Sequence, residues 1–213
     1  VSNRRGTQTR VNVGKALQPN DTYGWFTLSS NGQKLGRISG RLIELMSKAT
    51  GIDVIHYDGV IINIYNDDSF IGNHSDVDES DTAKNYPVVV ANIGGTGNII
   101  LGTNKNNDSV NLKSGASYIF GFKGEKRTVP HSTYASSVKG FLPALTTKID
   151  GKTYPAGSYR VSITMRRVMP LTKDMPFEPK LLQSIKNETQ TELPQGQLSL
   201  FDKNMLISLE NYL

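Results

Sequence analysis

Between residues 60 and 168 the chain is built from short β-branched and aromatic runs, at 60–65, 87–92, 98–101, 117–122 and 159–168, each closed by Gly, Asn, Asp or Pro. Runs this short and this dense, with little helical spacing between them, restrict the chain to a sandwich, a jelly roll or a barrel. One segment before them differs. Ile38, Leu42, Leu45, Met46 and Ala49 fall at helical spacing and Gly51 stands as a stop, which predicts one amphipathic helix over 36–50. Segment 139–157, punctuated by Gly140, Pro143, Gly151, Pro155 and Gly157, reads as a hairpin or excursion between two strands. The expected class is mainly β with a packed helix (α+β). Three regions are expected: a polar, Gly- and Asn-rich start over 1–34, the β core over 35–169, and a Pro-punctuated extension over 170–213 that ends in a helix at 202–213.

Composition narrows the chemistry. With 213 residues the chain can bury a sizeable core as one unit. It has no Cys, which removes disulfides, thiolate metal sites and cysteine nucleophiles, so any metal must be held by His and carboxylate. No window offers the ~18 apolar residues a membrane span needs. The start VSNRRGTQTR has no apolar run behind its basic residues, so no secretory signal is expected; a first residue other than Met reads as a trimmed or incomplete chain, and the cytoplasm is the expected location. Net charge is +5, unevenly spread: six acids lie between Asn66 and Asp81, leaving 24 basic against 13 acidic residues elsewhere. Such a body attracts nucleic acid by counterion release, or simply keeps the protein in solution.

The polar residues with chemistry fall into four places. His74-Ser75-Asp76 presents an imidazole and a carboxylate two positions apart, on one face if the segment is a strand. His131, 55 residues beyond Asp76, supplies a third ligand. Two His and one carboxylate form the facial arrangement that leaves positions open on a non-haem ferrous ion, whereas a surface pair in a polar loop is the plain alternative. In the run 159–166, Arg160, Ser162, Thr164 and Arg166 share one face and Val161, Ile163 and Met165 the other. Two inward Arg need anionic partners such as a dicarboxylate, because an unpaired buried guanidinium is costly; an exposed strand would let them meet solvent. Asn63 and Tyr65, eleven and nine residues before His74, also share a face and can hydrogen-bond a carboxylate.

In this order, Asn63-Ile64-Tyr65, then His74-Ser75-Asp76-Val77-Asp78-Glu79, then His131, then Arg160 to Arg166, the chain resembles the AlkB family of Fe(II) and 2-oxoglutarate dependent nucleic-acid dioxygenases over about residues 36 to 168. The resemblance implies a double-stranded β-helix, or jelly roll. It implies that His74, Asp76 and His131 bind Fe(II) and carry catalysis, that Arg160 pairs with the distal carboxylate of 2-oxoglutarate, and that Arg166 lies near its metal-side carboxylate. Asn63, Tyr65 and Ser162 would line that pocket, Ser162 standing where the family has Asn. O2 would be the oxidant and DNA, rather than RNA, the substrate, freed of base alkyl groups. Asp78 would touch the base, and Tyr23, Trp25 or Phe26 would stack on it. A solvated acid and ordinary core aromatics are the alternatives there.

In the extension, Gln197-Leu198-Ser199-Leu200-Phe201 resembles the pentapeptide with which bacterial DNA polymerases and repair proteins dock on the sliding clamp. Gln197 would be hydrogen-bonded, and Leu198, Leu200 and Phe201 would fill an apolar pocket; alternatively these side chains pack on the chain's own domain. The rival functions are hydroxylation of a base methyl carbon, as in bacteriophage DNA modification, a protein or small-molecule hydroxylase, and a binding module without turnover.

Overall fold

A computed structural model describes residues 6–14, 16–17, 25–26, 36–76, 79–102, 108–121, 129–149, 151–182, 205 and 209. The β-branched runs pair antiparallel into a larger sheet of five strands, in the order β1 (Thr9–Gly14), β4 (Gly59–Tyr65), β13 (Arg160–Arg166), β6 (Val88–Gly94) and β9 (Ser117–Phe120). A smaller sheet of four runs β5 (Phe70–His74), β10 (His131–Ser137), β7 (Thr96–Leu101) and β8 (Asp108–Leu112). Two hairpins complete the set: β2 (Ala16–Leu17) with β3 (Trp25–Phe26), and β11 (Leu145–Ile149) with β12 (Lys152–Tyr154). The second lies within the hairpin expected over 139–157. The result is mostly β, a double-stranded β-helix with one long helix, as the sequence leads one to expect.

Both central strands, β4 and β13, are buried at every position, and their two faces do different work. On the outer face Val60, Ile62, Ile64, Val161, Ile163 and Met165 join one apolar cluster with Leu42, Leu45 and Met46 of α1 (Gly40–Thr50). Each such side chain contributes roughly 1.5–3 kcal/mol by leaving water. On the inner face Asn63, Tyr65, Ser162, Thr164 and Arg166 line a cavity closed from the other side by Ile71, His74, His131 and Thr133 of the smaller sheet. Alternation along β13 therefore sorts its side chains as expected: apolar toward α1, polar toward the cavity.

The helix begins at Gly40, not at 36, because Ser39 caps it: its side chain accepts the Leu42 N–H at 3.2 Å. It ends where expected, at Gly51, whose φ of 69° lets its N–H reach the Ser47 carbonyl. The sequence reading contained no strand for β1, β2, β3, β8 or β10, and near β5 only the conditional strand over 74–76. Within the extension, the backbone of Asp53 donates to Lys180 and that of Leu182 to Gly51, so the segment up to 182 is stitched beside the end of α1. Met205 and Leu209, four residues apart, are helical and fully buried in the same cluster as α1.

Candidate metal and co-substrate site

His74 and His131 stand directly opposite one another across β5 and β10, with ring centroids 4.3 Å apart. Pairing of two neighbouring strands thus brings together imidazoles that are far apart in sequence. Asp76 arrives differently. β5 stops at His74, so the expected shared strand face does not exist; the carboxylate reaches the imidazoles from the segment that follows. Ligand atoms of His74, Asp76 and His131 all lie within 4.8 Å of one another.

The surrounding hydrogen bonds prepare these atoms for a cation. His74 Nδ1 sits 2.8 Å from the Gly72 carbonyl and His131 Nδ1 3.1 Å from that of Val129. A carbonyl only accepts, so in the neutral tautomer each Nδ1 carries the proton, and Nε2 is the atom with a lone pair for a metal. Asp76 Oδ1 accepts from Arg166 Nη1 at 2.9 Å, while Oδ2 is turned to His131 Nε2 at 3.9 Å. One oxygen is therefore held by Arg and the other faces the imidazoles.

Arg166 Nη1 also donates to Glu79 Oε1 at 2.9 Å, and all three side chains are nearly inaccessible to water. Burial works against the guanidinium charge, but the two carboxylates outweigh it and hold Arg166 above its ordinary range. In the sequence Glu79 stood in the acidic run and closed the motif His74 to Glu79, with no role of its own assigned.

Arg160, as expected, points inward and is 1% exposed. Its Nε donates to Asn92 Oδ1 at 2.6 Å, and its guanidinium carbon lies 4.2 Å from the centre of the Tyr65 ring, which itself lines the cavity. Burial pulls its pKa below the guanidinium norm, with Tyr65 and Tyr118 opposing. Arg160 Nη1 has no hydrogen-bond partner among the described residues. A buried cationic donor without an acceptor fits an anion bound beside it. Burial also pushes the Tyr65 phenol up to about 12, so it is a neutral hydrogen-bond donor at physiological pH.

Register explains the rest of the wall. Arg10, Asn63, Ser162 and Asn92 lie in one row across β1, β4, β13 and β6, and the first three line the cavity. Tyr118 and Phe120 enter from β9, and the Phe120 ring is 4.9 Å from that of His131. Arg10, Asn92, Tyr118, Phe120, Thr133 and Thr164 were not singled out from sequence as site residues; alternation was the signal for three of them, placing Thr164 on the face of Arg160 and Arg166, and Tyr118 and Phe120 on a common face. Tyr23, Asp78, Gln197, Leu198, Leu200 and Phe201 lie outside the described residues, and Trp25 is described only as backbone of β3.

Comparison with known proteins agrees with this layout. Residues 3–166 match the 2OG-Fe(II) oxygenase superfamily. The solved structure of OsALKBH1, a plant AlkB homologue, superposes with a TM-score of 0.59 at 19% identity, covering 78% of this chain and 81% of that one. More distant are a cupin superfamily protein from Desulfitobacterium hafniense (TM-score 0.29, 7% identity, 52% of this chain and 66% of that one), and an RmlC-like cupin from Methanocaldococcus jannaschii (TM-score 0.32, 10% identity, 53% and 72%). No curated protein matches the chain in sequence. No helix among the described residues is long and apolar enough to cross a membrane. A family match over three-quarters of the chain, laid on a His-Asp-His cluster and a buried guanidinium with one nitrogen unpartnered among the described residues, makes this chain a member of the 2OG-Fe(II) oxygenase superfamily, a dioxygenase that uses Fe(II), 2-oxoglutarate and O2.

Proposed function

We propose that this dioxygenase is AlkB-like and acts on DNA, removing alkyl groups from bases. The observation that carries the reading is the convergence of four separated motifs: Asn63 with Tyr65, His74 with Asp76, His131, and Arg166 line one cavity, and Arg160 stacks on the Tyr65 ring that lines it. The basic body outside residues 66–81 supports a polyanionic substrate.

In this reading His74, Asp76 and His131 would hold the iron, with the two Nε2 atoms and Asp76 Oδ2 as the available donors. Arg160 takes the distal carboxylate of 2-oxoglutarate, with Asn63, Tyr65 and Ser162 along its length, and Arg166 stands beside the metal-side carboxylate while holding Asp76. When bound, Fe(II) with 2-oxoglutarate activates O2, so that CO2 leaves, one oxygen atom enters succinate and the other enters a substrate C–H bond. On an N-alkyl carbon the product is a hemiaminal, which breaks to the free base and an aldehyde. Asp78, Tyr23 and Trp25 would meet the base. The segment Gln197 to Phe201 would dock on a sliding clamp.

Mass spectrometry of N-alkylated oligonucleotides incubated with the protein, Fe(II), 2-oxoglutarate and O2 tests this. Loss of the alkyl group with aldehyde release is expected. Gain of one oxygen on a base methyl would point instead to base modification. Unchanged oligonucleotides, under conditions where the same preparation turns 2-oxoglutarate into succinate, would overturn a nucleic-acid substrate.

A further inference from the structure

Arg160 is held on three sides, by Tyr65 and by two residues with no role in the scheme above, Asn92 and Gly97. Asn92 is two positions before Gly94, the residue that faces Arg160 across β6 and β13, so both side chains stand on the inner face. Asn92 is 1% exposed. Its Nδ2 donates toward the carbonyls of Gly95, Leu112 and Lys113 at 3.2, 3.4 and 3.1 Å. Carbonyls only accept, so the amide cannot be flipped, and Oδ1 is fixed toward the Arg160 Nε–H. Leu112 ends β8 and Lys113 begins the turn to β9, so the strut is anchored in backbone and not in another mobile side chain. The Tyr65 ring supplies a flat face for the guanidinium. From the opposite sheet, Gly97 supplies the space, since a Cβ there would fall on the guanidinium of Arg160.

We propose that Asn92 is a positioning residue that, with Gly97, sets Arg160 to read the distal carboxylate and so selects a dicarboxylic 2-oxo acid. This rests on the reading of Arg160 given above. A neutral acceptor on Nε fixes the guanidinium plane without neutralising it, and Nη1, unpartnered among the described residues, is left for the carboxylate. Asp at 92 would instead pair with Arg160 and set a second carboxylate oxygen against three carbonyls.

The test compares 2-oxoglutarate with 2-oxobutyrate, which has the same metal-chelating end and no distal carboxylate. Binding of each to the anaerobic Fe(II) protein is followed by the visible charge-transfer absorption of the 2-oxo acid chelate, beside metal affinity and thermal melting. Asn92→Ala should weaken 2-oxoglutarate roughly tenfold or more, the range of a lost charge-assisted bond. Affinity for 2-oxobutyrate and for the metal should not move. Gly97→Ala, which keeps the Asn92 network and crowds the guanidinium, should give the same selective loss and serves where Asn92→Ala folds poorly. Equal weakening of both acids in Gly97→Ala, or no change in either variant while Arg160→Ala does weaken 2-oxoglutarate, would overturn the positioning role. If Arg160→Ala itself leaves 2-oxoglutarate binding unchanged, the assignment of Arg160 fails, and the proposal with it.

Discussion

Arg166 makes the strongest demand of any single residue on its surroundings. One nitrogen holds Asp76 and Glu79, and the whole group is buried. Arg166→Met would leave two carboxylates without their counter-charge, and removing one partner of a buried pair typically costs ~3–5 kcal/mol. Urea denaturation should show that loss, and Mn(II) should restore more stability to the variant than to the wild type, because the cation then supplies the counter-charge that Asp76 has lost. Equal stabilisation of both proteins by Mn(II) would contradict the link between Arg166 and the metal cluster. At this scale the sequence was legible where residue type and spacing carry the chemistry, as for His74, His131 and Arg160. It was silent on Asn92 and on the partner of Glu79, because those contacts join positions 68 and 87 residues apart through strand pairing and loop closure.

Elements were legible in proportion to how apolar they are. Strands β4, β6 and β13 are buried on both faces or against α1, so they stand out as β-branched runs. β10 reads His-Ser-Thr-Tyr-Ala-Ser-Ser, with no apolar alternation, and β5 is broken by Gly72 and Asn73. These two strands carry both imidazoles, and their composition follows the site and solvent they face rather than a core. The helix shows the opposite case, an apolar stripe that was plain while its start was placed too early for want of recognising Ser39 as the cap. Ser39→Ala should lower stability by ~0.5–2 kcal/mol through loss of the cap. Leu42→Ala, at a fully buried position against the sheet, should cost ~2–5 kcal/mol. Thermal melting of the two variants should preserve that order; a larger loss at Ser39 would mean that α1 is held by its end and not by its face.

Across the whole molecule, the outer face of the larger sheet serves stability and the inner face serves chemistry, which lets the two be perturbed separately. The extension belongs to the first function at both described ends: Tyr86 donates to the Pro176 carbonyl, Ile52 bridges Leu181, and Met205 and Leu209 are buried in the cluster around α1. Met205→Ala with Leu209→Ala should therefore lower the melting temperature, by ~2–5 kcal/mol of stability for each large side chain lost, and leave iron affinity unchanged. Leu200→Ala with Phe201→Ala separates docking from packing. Loss of clamp capture in a pull-down with unaltered melting supports docking; a large drop in melting, with no capture by the wild type, removes the clamp as a partner. The sequence reading set this extension apart by composition and gave no sign of its attachment, since Pro-punctuated polar segments carry no period from which burial can be read.

Anaerobic titration of Fe(II) in the presence of 2-oxoglutarate, followed by the charge-transfer absorption of the chelate, tests the central claim that His74, Asp76 and His131 gather one iron beside the Arg160 pocket. The wild type should saturate at one iron per chain, and His131→Ala, still folded by melting, should develop no band at the same concentrations. A His131→Ala protein that binds iron and 2-oxoglutarate as the wild type does would contradict the account.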